Sequence, residues 1–230
     1  TFATGFFLIS WFGTRVILVG IAVALIAMGI IWGQWIRDGR IRLLIVLVLI
    51  GAPFALPLPG MLKGPCLRET NYFCLKVVQD KLDDGTPVKS LVLDRLVHGF
   101  VVAGQPTRLI YGYEKITVEV DEYLNRRNQL SNVLALGGGA YSYPRYVEVV
   151  HPTSSVDVVE IDPGVTQIAH EEFELPLDAK IRTFNIDARQ FMTELDPARR
   201  YDMILCDVLN DLSVPYHLTT REFDELVRQH

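Results

Sequence analysis

The chain has 230 residues, enough for one or two compact units, and half of them are apolar. A formal charge of −5 gives no basic surplus of the kind nucleic-acid binding uses, so no nucleic-acid partner is expected. Three cysteines (Cys66, Cys74 and Cys206) are an odd count with no CxxC pattern, which argues against a disulfide framework and a zinc site. Three free thiols are the expectation, because Cys66 and Cys74 would pair only in an oxidising compartment.

The apolar excess lies before residue 62. Val16 to Ile36 is a run of 21 uncharged residues. As a helix it would reach roughly 30 Å, the thickness of a bilayer core. Leu43 to Leu62 is a second uncharged run of 20, interrupted by Pro53, Pro57 and Pro59. Two such runs argue against a cleaved signal peptide and predict a multi-pass membrane segment over 1–64. Gly20, Gly29 and Gly33 would let neighbouring helices approach closely. Arg37, Arg40 and Arg42 between the runs are balanced by Arg15, Lys63 and Arg68 on the other side, so charge does not fix the orientation.

Residues 65–130 read as a small β-rich subdomain. "NYFCLKVVQD" and "KSLVLDRLVHGF" are rich in β-formers and separated by the turn signal "DDGT". Tyr111 to Arg126 is ambiguous, with a helix as one reading. From Asn132 four strand-like runs follow: "NVLALGGG", "VDVVEID", "KIRTFNID" and "YDMILCD". Helix-length stretches between them, such as Pro163 to Phe173, predict an α/β unit with a parallel sheet over 131–230. Ligands of such sheets bind beyond the carboxyl ends of the strands. Gly137, Gly138, Gly139, Glu160, Asp187 and Asp207 stand at those ends.

Three consecutive glycines let the backbone turn sharply and let a ligand approach the main chain. Glu160 follows Gly137 by 23 residues, the spacing of a carboxylate that holds a ribose. Ser142 occupies the third position of a GxGxxG pattern and there is no Walker lysine, so a nucleoside without a phosphate chain suits the site. No metal is expected.

"LALGGGAYSYPRYV", "VDVVEIDPGV", "NIDARQF" and "YDMILCDVLNDLSVPYHLTTREF" resemble the spermidine synthase family in order and spacing, and "LVLDRLVHG" resembles its "LxLDGxxQ". The likeness runs from about residue 70 to the end. It is nearest to membrane-attached members, some fused to a transporter-like helical domain. The resemblance implies a methyltransferase-type (Rossmann-like) sheet, truncated here after four of seven strands, so a piece of a longer protein is expected. It implies decarboxylated S-adenosylmethionine as co-substrate, or S-adenosylmethionine itself, and a polyamine such as putrescine as acceptor. Gly137, Gly138 and Gly139 would lie beside this donor, Glu160 would hold its ribose and Asp187 its adenine. Asp207 would orient and deprotonate the attacking amine. His98, Tyr113, Asn210 and Asp211 would face the substrate. Both candidate donors are made in the cytoplasm, which places the catalytic domain there. The lipid bilayer is the other expected partner, and assembly with further copies of the chain is left open.

The departures from the family pattern fall on the amine end. Its "GGGDG" is "GGGAY", so its acid is Ala140; the second acid of "DxxD" is Asn210, with Asp211 adjacent; its two glutamines are His98 and Phe73. In the family the acid at position 140 disfavours ordinary S-adenosylmethionine by repelling its carboxylate. An aminopropyltransferase is therefore the leading reading. A methyltransferase using S-adenosylmethionine is the second, and a non-catalytic membrane sensor of a nucleoside or polyamine the third.

Overall fold

The computed structural model describes residues 7–32, 38–55, 64–127, 130–209 and 213–230. The chain divides into two compact units, Thr1–Tyr72 and Phe73–His230.

The first unit holds helices α1 (Ile9–Trp32) and α2 (Gly39–Ala55) and a two-residue strand β1 (Arg68–Glu69). Gly13, at φ 73, interrupts α1. The helix resumes at Thr14, whose backbone N–H donates to the Glu69 carboxylate at 2.7 Å. That bond satisfies one of the amide groups a helix start leaves open. Trp11–Trp32 covers 22 residues with a mean hydropathy of 2.4. Its large apolar side chains, among them Trp11, Leu18, Leu25 and Trp32, are exposed. A helix this apolar and this exposed suits lipid rather than water. Among the described residues it is the one helix long and apolar enough to cross a membrane. α2 has 17 residues, about 26 Å of helix, and the end of the second apolar run lies outside the described residues. The two expected spans therefore reduce to one candidate.

The second unit opens with antiparallel strands β2 (Cys74–Lys81), β3 (Pro87–Leu93) and β4 (Leu96–Val102). Leu75 pairs with Leu93 and Val77 with Leu91, and β3 meets β4 from Val88↔Val102 to Leu93↔Leu96. Asp94, at φ 53, turns the chain between β3 and β4. Helix α3 (Gly112–Asn125) follows, confirming the helical reading of that ambiguous stretch. Then strands and helices alternate: β5 (Asn132–Leu136), α4 (Ser142–Val150), β6 (Ser155–Val159), α5 (Pro163–Glu172), β7 (Arg182–Phe184), α6 (Ala188–Glu194) and β8 (Met203–Cys206). A short 3₁₀ turn (Tyr216–Leu218) and α7 (Arg221–Gln229) complete the unit.

β5 to β8 form one parallel sheet in the order β7-β6-β5-β8. The central strands read as largely apolar runs because both faces are covered, with Asp157 of β6 the buried exception, paired with Arg182. Val133 and Ala135 of β5 join one core with Val156, Val158, Tyr143 and Val147. Leu134 and Leu136 point the other way and join Val159, Phe191, Met192 and Phe223. Leu75, Leu91, Leu93 and Val101 of the antiparallel strands pack on Val165, Ile168 and Phe173, with Ala140 in the same cluster. Truncating a fully buried Leu134 to Ala should cost about 2–5 kcal/mol. Asp162 caps α5 by accepting from the Gly164 N–H at 2.8 Å, with Pro163 at the first helical position.

Cys66 and Cys74 are disulfide-bonded, and Cys206 is the free thiol. The expectation of three thiols is overturned. Disulfides persist in oxidising compartments, so the pairing also runs against a cytoplasmic placement of this region.

Candidate functional site

The carboxyl ends of β5, β6, β7 and β8 lie along one edge, which gathers Gly137, Glu160, Asp187 and Asp207 as the strand pattern anticipates. Hydrogen bonds lock the strand ends together: Gly137 N–H donates to the Val159 carbonyl at 2.8 Å, and Asp207 N–H to the Leu136 carbonyl at 2.8 Å. Gly137 has a φ of +96, and a Cβ there would fall on the Asp207 carbonyl. Only glycine lets the loop leave β5 while β8 ends beside it.

Glu160 is buried below this loop. Its Oε2 accepts from the Gly138 N–H at 2.8 Å and its Oε1 from the Asp162 N–H at 2.9 Å. Burial pushes the carboxyl above its ordinary range; the amides of Asp162 and Gly138 oppose that, and the Asp162 charge adds to it. A carboxylate has about four acceptor positions. The Asp162 and Gly138 amides take two and the Gly139 amide also acts on the group, so the remaining capacity is what a ligand hydroxyl could use. A Cβ on Gly138 would sit 3.2 Å from Glu160 Oε2 and 2.7 Å from the Tyr141 ring, so the glycine keeps this cradle open. A buried carboxylate with acceptor capacity left beside a glycine loop is compatible with a hydroxyl-bearing ligand such as a ribose.

The crevice above the loop is lined by His98, Tyr113, Glu114, the three glycines, Ala140 and Asp207, among others. The Tyr113 hydroxyl donates to Asp207 Oδ2 at 2.6 Å. Burial, then this bond and the Asp207 charge, raise the phenol well beyond its usual range, so it stays a donor. His98 comes from β4, and its carbonyl lies 2.8 Å from where a Cβ on Gly139 would be, so β4 passes directly over the loop. Gly99, next on β4, makes the same approach: a Cβ there would be 2.5 Å from the Ala140 methyl. Ala140 is 2% exposed, held between β4 and the apolar cluster. Position 140 is therefore a packing position as well as a crevice wall.

Asp187 plays a second part. As the N-cap of α6 its Oδ1 accepts from the Arg189 and Gln190 amides at 2.9 and 3.0 Å. Its Oδ2 lies 2.9 Å from His217 Nε2. Burial works to raise this carboxyl, but His217 and the two amides outweigh it and hold the group below the usual carboxylate range. Asp187 does not line the crevice with Asp207, and Asn210 and Asp211 lie outside the described residues.

Sequence reasoning passed over two residues. Glu114 is 4% exposed, on the first turn of α3, with Oε2 accepting from the Tyr111 N–H at 3.1 Å. Burial raises its carboxyl, against the Tyr111 amide, and the nearby Asp207 charge adds to the rise. The other residue is His217, whose bond to Asp187 joins two segments 30 residues apart. Among the described residues no group of three or more His, Cys, Asp or Glu is arranged to hold a metal ion.

No family model matches the chain. It is 34% identical over 120 residues to a polyamine aminopropyltransferase of Vibrio vulnificus, covering 52% of this chain and 39% of that protein. It is 27% identical over 125 residues to an eEF1A lysine and N-terminal methyltransferase of Danio rerio, covering 53% of this chain and 18% of that one. Among solved structures, a probable spermidine synthase from Corynebacterium glutamicum superposes with a TM-score of 0.59 at 26% identity, covering 67% of this chain and 56% of that one. The chain thus spans less than half the length of these curated relatives. Over about half of its own length it is similar to polyamine aminopropyltransferases, and its sheet is of the α/β methyltransferase type.

Proposed function

We propose that this chain carries the donor-binding part of a membrane-attached, spermidine synthase-like aminopropyltransferase. Its substrates would be decarboxylated S-adenosylmethionine and a polyamine such as putrescine. The observation that carries the reading is Asp207: a carboxylate held by Tyr113 at 2.6 Å, on a strand end whose backbone abuts the glycine loop. The likeness to aminopropyltransferases supports it.

In this reading residues 131–230 bind the nucleoside, residues 65–130 close over it through β4 and α3, and residues 1–64 supply the membrane attachment. Glu160 takes the ribose hydroxyls on the acceptor capacity its backbone amides leave. Asp187 stands toward the adenine. Its bonds to α6 and His217 fix the carboxylate, so any contact with the base would use the acceptor capacity they leave. The donor supplies an alkyl carbon bonded to a positively charged sulfur. An acceptor ammonium, with a pKa of roughly 10, is not nucleophilic until it loses a proton. Asp207 takes that proton. The freed nitrogen lone pair forms the new C–N bond, the C–S bond breaks, and its electron pair stays on sulfur, leaving methylthioadenosine. The Tyr113 hydroxyl holds the carboxylate in place for this transfer.

A methyltransferase reading is favoured by one observation: position 140, on the crevice wall, is Ala and carries no acid. The Danio rerio relative supports it as well. The two are separated by incubating the full-length protein with each donor and putrescine and identifying the nucleoside product by mass spectrometry. Methylthioadenosine supports aminopropyl transfer, and S-adenosylhomocysteine supports methyl transfer.

A further inference from the structure

We infer that Glu114 supplies the tail-selecting charge that Ala140 lacks, making it the residue that favours a donor ending in an ammonium over one ending in an amino-acid carboxylate. This rests on the proposed nucleoside-donor site and deepens it.

Three observations carry the inference. First, Ala140 is closed to an acid: its methyl is packed against Gly99 and the cluster of Leu75, Leu91 and Val101, with 2% of its surface exposed. Second, Glu114 lines the same crevice as Ala140, the glycine loop and Asp207, and it is 4% exposed. Third, the described residues lining that crevice include no Lys or Arg, so Glu114 and Asp207 set its sign. Burying a carboxylate is costly unless something compensates it. The Tyr111 amide, the Ser142 side chain and the Ile110 amide compensate it in part, and a bound ammonium adds to them. A carboxylate brought into the same crevice would meet two acids and, besides the imidazole of His98, no basic side chain.

Gln suits the test, because a Gln at the third helical position also caps the preceding amide, so the start of α3 is kept. The measurement is calorimetric titration of the full-length protein and Glu114→Gln with three nucleosides: decarboxylated S-adenosylmethionine, S-adenosylmethionine, and methylthioadenosine, whose tail is uncharged. Thermal melts confirm that the variant is folded. The wild type should favour the decarboxylated donor over the ordinary one by about 10-fold or more, the scale of one charge-assisted hydrogen bond. Glu114→Gln should shrink that ratio about 10-fold and leave methylthioadenosine binding unchanged. If methylthioadenosine binds but the ratio is the same in both proteins, the inference fails and the nucleoside site stands. If the wild type prefers S-adenosylmethionine, the inference also fails. If none of the three binds the wild type, the donor site itself is wrong and the inference falls with it. A variant that fails to fold is replaced by Glu114→Asp, which keeps the charge and should keep a preference of the wild-type sign; loss of that preference in a folded Asp variant overturns the inference.

Discussion

The Tyr113 hydroxyl and the Asp207 carboxylate, 94 residues apart in the chain, meet at 2.6 Å across the mouth of the crevice. The bond fixes a carboxylate that stands free of the sheet, at the point where β8 ends. Asp207→Asn keeps the shape but removes the proton acceptor, so turnover should fall by about 10²–10⁴-fold. Tyr113→Phe should lower kcat by a smaller factor, about 10-fold, because the base survives but is less well placed. Donor affinity should change little in both. Steady-state rates beside donor titrations check this, and near-normal turnover of Asp207→Asn would exclude the proposed chemistry.

Glu160 holds two backbone amides, one on each oxygen. In Glu160→Gln one oxygen becomes an NH₂ group facing an N–H donor. Such a mismatch costs about 1–3 kcal/mol in a buried site. Affinity for methylthioadenosine should fall about 10-fold or more, as measured by calorimetry. Unchanged affinity would make Glu160 a strand-end acid that only braces the loop.

The fold of the second unit was legible because its strands announce themselves. "NVLAL" and "VDVV" are mostly apolar, broken in the second by the ion-paired Asp157, and the residues after them are the turn glycines and acids that a parallel sheet places at one edge. Glu114 was not legible, for a physical reason. α3 buries Glu114, Thr117 and Asp121 while exposing Ile116, Val120 and Tyr123. A helix with its polar side inward defeats a reading that looks for an apolar face. His217 was hidden in the same way, since only folding brings it to Asp187. The Cys66 and Cys74 pairing was not legible, because it turns on the redox compartment, which an odd cysteine count does not reveal. The second apolar run misled a composition-based reading, because three prolines fall where the span would have to continue.

Asp187 titrates below its ordinary range, so the sign of its effect on stability follows. Its bonds to α6 and His217 stabilise the fold above the unfolded carboxyl pKa of about 3.8, and that contribution is lost as pH falls through the lower folded value. Asp187→Ala removes a helix cap and should cost about 1 kcal/mol at pH 7. The gap between wild type and variant in denaturant midpoint should narrow as the pH falls below the unfolded value of about 3.8 and through the lower folded one. A gap that stays constant across that range would show that charge on Asp187 contributes nothing.

The disulfide state of Cys66 and Cys74 can be read in intact cells. A paired Cys66 and Cys74 resists alkylation until a reductant is added, leaving Cys206 as the one reactive thiol of the unreduced protein. Mass spectrometry after alkylation with and without prior reduction should show a gain of two labelled cysteines on reduction. Three labelled cysteines without reduction would contradict the pairing.

The central claim is that this crevice moves an aminopropyl group, and product identity tests it most directly. The full-length protein is supplied with decarboxylated S-adenosylmethionine and putrescine, and nucleoside and amine products are followed together. The account predicts methylthioadenosine and spermidine in equal amounts, both lost in Asp207→Asn. Contradiction would be methylthioadenosine formed without spermidine, or transfer that proceeds unchanged in the Asp207→Asn protein.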